Sequence, residues 1–315
     1  MLSTDTLIPP TSSSEAILSD LARVAEPIWD LLNDADVVEI SVNSSGKVFV
    51  TRFGTRPEYH GDFDPVDATI FTRWCAAGLD LSLNEENPIV SGRLPGTRHR
   101  IEIVVPPVTE APSFSIRRHS EVIRPLTSFG LTDAAIDVLR RAVVDRANII
   151  VSGGTGCGKT TFQSALLAEL HRELPDTRLV ILEDTRELQT RFANVEALLA
   201  SPTMSLDRLL VTTLRLAPDR IVVGEVRTGA VALTLLKAWN TGHRGGLSTI
   251  HANSALEVFA RIDALIAEVS LNTQSKLVAE TVDMVVQLGR ETGRPAVKEI
   301  IDFRHNKKGD IVYDA

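Results

Sequence analysis

Cysteine is nearly absent: Cys75 and Cys157 are the two in the chain, and they lie far apart. That excludes a disulfide scaffold and a four-cysteine zinc site. Aromatic residues make up only 5%, too few to interleave with basic side chains as a stacking groove for single-stranded nucleic acid. Positive charge is also scarce. The formal net charge is -8 and the pI is near 5.5, which speaks against a general nucleic-acid or anionic-membrane coat. Met1 to Pro10 holds an aspartate and no basic residue, unlike a signal peptide. No apolar run approaches the roughly 20 residues a membrane-spanning helix needs, and no internal repeat is visible. These absences lead us to expect a protein of a reducing cytoplasm that meets a membrane only through partners.

What is present organises the chain. With 315 residues and 43% hydrophobic content, two domains of ordinary size are expected. Residues Gly153 to Thr160 read Gly-Gly-Thr-Gly-Cys-Gly-Lys-Thr, between the β-branched run Ile149-Ile150-Val151 and an amphipathic run. That is the pattern of a phosphate-binding loop. Gly153, Gly154, Gly156 and Gly158 lack Cβ, so positive φ is open to them and the N–H groups of Thr155, Cys157 and their neighbours can turn around an anion. Lys159 is placed to reach β and γ phosphates, and Thr160 to offer its hydroxyl to Mg²⁺. Thr161 extends the helix N-terminus whose dipole favours the anion. The chemistry points to a nucleoside triphosphate with Mg²⁺. Guanine specificity is not expected, because Asn306-Lys307-Lys308-Gly309 has glycine where a guanine-reading motif needs aspartate.

Along the chain, residues 1–13 read as a mobile tail, 14–118 as a small α+β domain, 119–130 as a linker and 131–315 as an α/β domain with a mainly parallel sheet. In the first domain the spacing predicts a helix to Leu32 behind a capping box from Ser12 to Glu15, broken near Pro27. A hairpin from Val37 to Val50 turns at Asn43–Gly46, and a helix capped by Asp64 runs to Gly78. After a loop from Leu83 to Gly92 come strands at His99–Val105 and Ser113–Arg117. In the second domain, strands are expected at 148–152, 179–182, 221–224 and 247–251, and helices at about 159–174, 205–216, 228–241 and 254–268. Met284–Leu288 and Val297–Phe303 are expected as antiparallel strands at the sheet edge.

In parallel sheets ligands gather at the carboxyl ends of strands. There the sequence delivers Glu183-Asp184 with Glu187 behind, then Glu225-Val226-Arg227, and finally His251. A triphosphatase needs carboxylates to orient water and organise Mg²⁺. Glu183 and Glu225 form the expected catalytic and metal-organising pair, with Thr160. His243 and His251 are candidates to sense the γ-phosphate. Gly224 stands where many such ATPases carry an aspartate. Six arginines fall between Arg93 and Arg124, most of them expected on a solvated face, with one or two reaching phosphates.

Four ordered motifs resemble those of the secretion ATPases of type II and type IV systems, the VirB-type and TrbB-type traffic ATPases. They are the phosphate loop, Leu182-Glu183-Asp184-Thr185-Arg186-Glu187-Leu188 as the Asp box, Leu214 to Arg227 as the Walker B segment, and Thr241-Gly242-His243 through Ser248-Thr249-Ile250-His251-Ala252-Asn253-Ser254 as the His box. Val38–Asn43 and Pro112–Arg118 are similar to family patterns in the first domain. Cys157 stands where serine is common, and Ala217 where a basic residue is often found. The resemblance implies a RecA-like ATPase domain after the smaller domain, a homo-hexameric ring, and ATP with Mg²⁺ as cofactors. It implies catalytic roles for Lys159, Glu183, Glu225, Arg98, Arg117 and His251. It also implies work with inner-membrane secretion machinery at the inner face of a bacterial inner membrane. The length and His box look most like the TrbB type of conjugative transfer. A DNA-translocating or unwinding motor, a pilus assembly or retraction ATPase and a nucleotide-gated docking platform remain alternatives, and direct nucleic-acid binding is left open.

Overall fold

The computed structural model describes residues 21–119, 122–201, 203–291, 293–305 and 309–314. The expected tail, the capping box at Ser12–Glu15 and Asn306–Lys308 lie outside them. The chain divides between residues 121 and 122 into two compact units.

The first unit is a six-stranded antiparallel sheet with helices against one face. Its strands are β1 (Val37–Val42), β2 (Lys47–Arg52), β3 (Glu58–Asp62), β4 (Ile89–Arg93), β5 (Arg100–Val104) and β6 (Ser113–Arg117), in the order β3-β2-β1-β6-β5-β4. Alternation decides the faces: Ile40 and Val42, Ile101 and Ile103, Phe114 and Ile116 are buried, while Glu39, Arg100, Glu102, Ser115 and Arg117 point the other way. Helix α1 (Glu26–Asn33) contributes Ile28 and Leu32 to this core, and α2 (Pro65–Gly78) contributes Phe71 and Cys75. Proline sits in the first turn of α1, where its missing N–H costs nothing. Asp64 caps α2, its carboxylate accepting from Val66 N at 2.7 Å. β4 occupies the end of the stretch expected as loop, and β3, whose residues are mostly exposed, had no hydrophobic pattern to announce it.

The second unit is an eight-stranded sheet in the order β14-β13-β12-β7-β11-β10-β8-β9. The six strands from β12 to β9 in that order are parallel: β12 (Met284–Glu291), β7 (Ile149–Gly153), β11 (Leu247–Ile250), β10 (Arg220–Val223), β8 (Leu179–Glu183) and β9 (Val195–Leu199). β13 (Arg294–Asp302) and β14 (Asp310–Asp314) add antiparallel at one side. This corrects the expectation for Met284–Leu288, which runs parallel to β7 inside the sheet. Every residue of β7, β8, β10 and β11 is buried, because helices cover both faces. On one face Ile149, Val151, Ile181 and Val222 pack with α3 (Asp133–Val144) and α4 (Lys159–Glu173). On the other, Ile150, Val180, Leu182 and Val223 pack with α5 (Leu206–Thr213), α6 (Gly229–Asn240), α7 (Glu257–Ala267) and α8 (Ser275–Thr281). The stretch expected as linker contains a 3-10 turn, Leu126–Phe129, whose Leu126 and Phe129 are buried in this core. The ring of Phe129 meets Phe162 of α4 edge-on at 5.0 Å.

Candidate nucleotide site

The carboxyl ends of β7, β8, β10 and β11 lie side by side, and the four motifs end there because the strands run parallel and in register. The phosphate loop joins β7 to α4. Gly153, Gly156 and Gly158 hold φ of 147°, 69° and 90°, a region in which a Cβ is strained. Gly154 does not need that freedom: its φ is not positive, and a Cβ there meets nothing within 4 Å. Cys157 is buried with its thiol under the loop, and burial raises its pKa above the ordinary value. Thr155 is exposed and Thr161 half-buried at the start of α4.

Lys159, 8% exposed, donates to Gly153 O at 2.9 Å and Gly154 O at 3.0 Å and faces His251 Nδ1 at 3.4 Å. His251 Nε2 lies 2.8 Å from Glu225 Oε1. Arg227 Nε donates to the other oxygen of Glu225 at 2.5 Å and reaches Asp184 with Nη1 at 3.5 Å. Burial first, then the charge of Lys159, lowers the pKa of His251 below 6.5 against the pull of Glu225. The neutral ring that results fits both neighbours when Nε2 carries the proton, since Nδ1 then accepts from the ammonium. The chain therefore holds lysine, histidine, carboxylate and guanidinium in one line.

Glu183 turns its carboxylate back to the backbone. It is 6% exposed, and its Oε1 accepts from the backbone N–H groups of Glu187 at 2.9 Å and Leu188 at 2.8 Å. Burial raises its pKa above the usual carboxylate value, against the effect of those two bonds. Its geometry is that of an anchor for the loop after β8. The anchored loop presents Glu187, whose Oε2 accepts from Thr160 Oγ1 at 3.3 Å. Glu187 and Thr160 thus bring a carboxylate and a hydroxyl together, a hard-oxygen pair of the kind Mg²⁺ takes alongside phosphate oxygens. Among the described residues no group of three or more His, Cys, Asp and Glu could hold a metal ion. Gly224 also finds a physical reason here: a Cβ on it would stand 3.2 Å from Glu183 Cγ, so an aspartate would press on the anchor.

Supporting contacts come from residues the sequence did not single out. Gln163 of α4 donates to Val223 O at 3.0 Å, Thr249 donates to Gly224 O at 2.8 Å, and Gln287 of β12 pairs with Ser152 and donates to Ala252 O at 3.3 Å. Their signal was available only as buried polar side chains, which sequence does not reveal. His243 is placed apart: it precedes β11, at the amino end of the strands, and its backbone N–H bonds Ala238 O at the end of α6. Ala217 also lies at that end, ahead of β10, with φ 50°. In the first unit, Arg98 lies in the β4–β5 turn and Arg117 closes β6, both exposed. Arg93, Arg100 and Arg117 are register partners across three neighbouring strands, a row of like charge on one face of the sheet.

The family model for type II/IV secretion system proteins matches residues 22–309. The conjugal transfer protein TrbB of Rhizobium radiobacter is 45% identical over 282 residues, covering 87% of each chain. Among solved structures, the VirB11 ATPase of the Brucella suis type IV secretion system, in complex with sulphate, is 26% identical with a TM-score of 0.50, over 95% of this chain and 99% of that one. The pilus retraction motor PilT with bound ADP is similar in fold, with a TM-score of 0.66 at 21% identity over 91% and 86% of the two chains. Motif order, RecA-like fold and relatives agree: the chain belongs to the type II/IV secretion system protein family, and is one of its ATP-hydrolysing members.

Proposed function

We propose that this ATPase drives a conjugative type IV secretion apparatus, with hydrolysis performed at the carboxyl end of the parallel sheet in the second unit. The observation that carries the reading is the line Lys159–His251–Glu225–Arg227 beside a glycine loop of the required shape. Lys159, held now by loop carbonyls, exchanges them for phosphate oxygens when nucleotide enters. The N–H groups of the loop and of the start of α4 bind the β-phosphate. Glu225 accepts the proton of the attacking water, and Arg227 and His251 hold its two oxygens until then. His251 reports phosphate occupancy to Glu225 through its two ring nitrogens.

Thr160 and Glu187 are the residues proposed to hold Mg²⁺, with Glu183 fixing Glu187 from behind; Glu183 is thereby moved from the metal and catalytic roles to a positioning one. The ion, when bound, would neutralise charge on the transferred phosphoryl group. Arg98 and Arg117 are proposed as phosphate-contacting residues on the family pattern. A homo-hexameric ring, secretion partners, and attachment at the inner face of a bacterial inner membrane complete the proposal. Among the described residues no helix is long and apolar enough to cross a membrane.

The test compares three amide substitutions for ATP turnover and for ADP binding. Glu225→Gln and Glu187→Gln are expected to lower turnover about 10²-fold or more. Glu183→Gln keeps an acceptor for both N–H groups and is expected to lose less than about tenfold. Wild-type turnover in Glu225→Gln, or abolition by Glu183→Gln alone, would overturn these assignments.

A further inference from the structure

The β12–β13 hairpin bears on the phosphate loop at three points. Arg290, near the end of β12, directs Nε and Nη2 onto Gly156 O at 3.2 and 2.7 Å. Pro295 of β13 stands 2.9 Å from the position a Cβ would take on Gly158. Leu288 O of β12 stands 2.6 Å from the corresponding position on Gly153. One hairpin therefore lies against each of the three phosphate-loop glycines that hold positive φ.

A guanidinium that directs two N–H groups onto one carbonyl oxygen holds that oxygen in place by charge-assisted bonds. With Gly156 C=O held toward Arg290, the planar trans peptide turns the N–H of Cys157 the opposite way, into the loop, where it meets Gly154 O at 3.5 Å. An anion entering the loop meets N–H groups already so directed. We propose that Arg290 is a positioning residue for the phosphate loop, holding the Gly156–Cys157 peptide in its anion-binding orientation. The proposal rests on the nucleotide-site reading above. Lysine is not an equivalent, because it offers a point charge in place of a fork.

The chain carries its own reporter. Cys157 lies inside the loop and Cys75 in the core of the first unit, both buried. Local loosening of the loop exposes Cys157 alone, whereas general unfolding exposes both. The experiment labels the full chain with N-ethylmaleimide in the absence of nucleotide, reads each cysteine by peptide mass spectrometry, and measures the Kd of Mg-ADP and the KM and kcat for ATP. In Arg290→Ala, Cys157 is expected to label about tenfold faster with Cys75 unchanged, and the ADP Kd to rise about tenfold, the scale of one charged hydrogen bond. The loss falls on KM more than on kcat, and Arg290→Lys lies between alanine and wild type. Wild-type labelling of Cys157 together with wild-type ADP affinity in Arg290→Ala overturns the proposal. Should both cysteines label together in that variant, Arg290→Lys decides: acceleration at Cys157 alone supports the role, and wild-type rates reject it. Failure of the nucleotide-site reading is separately visible, as wild-type protein that does not bind ADP while the nucleotide-free labelling contrast persists.

Discussion

The two units build their interiors from different materials. Among the described residues the first buries one polar side chain, Thr72, and its hydroxyl turns back to Ala68 O of its own helix at 2.8 Å. The second buries fourteen, from Asn148 to Asp302, including Lys159, Glu183, Arg220 and Asp283. Buried polar groups cost desolvation unless each finds a partner, so their concentration needs a reason. Some serve the site directly. Others lock strand ends: Asn148 bonds Thr281 O, Gly245 N and Gly246 N at 2.8, 2.8 and 3.2 Å, while Asp283 receives Asn148 N at 2.9 Å and Arg244 Nη2 at 2.6 Å. The first unit needs only alternation and a Phe63–Phe71–Phe114 cluster to cohere. The Asn148 and Asp283 bonds lie ahead of β7, β11 and β12 and tie the amino ends of these strands together from the side opposite the site.

The contrast can be broken in order of effect. Lys159→Ala removes the ammonium that bonds Gly153 O and Gly154 O and is expected to lower ATP turnover about 10³-fold, read as steady-state phosphate release; retention of a tenth of the activity would put the chemistry elsewhere. Asn148→Ala leaves three backbone groups without their side-chain partner and is expected to cost about 3 kcal/mol in urea denaturation. A cost near zero would mean that the polar locks are dispensable. His251 supplies the pH arm. Its folded pKa is lowered, so the folded state takes up the proton less readily than the unfolded state. Its stabilising share is complete above 6.5 and is lost as pH falls through the lowered value. The imidazolium formed on that acid side faces Lys159, so stability in urea denaturation should fall there, and His251→Gln should flatten that profile; parallel profiles would remove the Lys159–His251 contact as its source. Smallest is Thr72→Val, expected to cost less than about 1 kcal/mol because Ala68 O already takes part in the helix ladder. A loss as large as that of Asn148→Ala would erase the distinction between the units.

Legibility from sequence followed the same division. The phosphate loop, the parallel core strands and the Asp64 cap could be read because each has a local signature: glycines before Lys-Thr, β-branched runs, and aspartate before proline. β9, reading Val-Glu-Ala-Leu-Leu, had a helical composition and is a strand because β8 offers it a parallel edge. β12 looked like an edge strand since β13 follows it closely, yet pairing with β7 is a long-range choice that no short window contains. In the candidate site, Lys159, His251 and Glu225 each lie in a motif, and the fold brings the three side chains into contact. That Glu183 turns back to the backbone N–H groups of Glu187 and Leu188, leaving Glu187 beside Thr160, was not legible, because no sequence pattern says which carboxylate does so. Arg290 had no signal at all, lying 134 residues from the carbonyl it holds.

The stretch read from sequence as a linker ends inside the core of the second unit. Its Phe129 is wedged against Phe162, three residues into the helix that Lys159 begins, and an edge of the same ring lies 3.9 Å from the Cβ position of Gly158. The 3-10 turn Leu126–Phe129 is thus seated, within the second unit, against the turn of backbone that opens α4. A single aromatic pair thereby braces the first turn of α4, the backbone that the phosphate loop runs into.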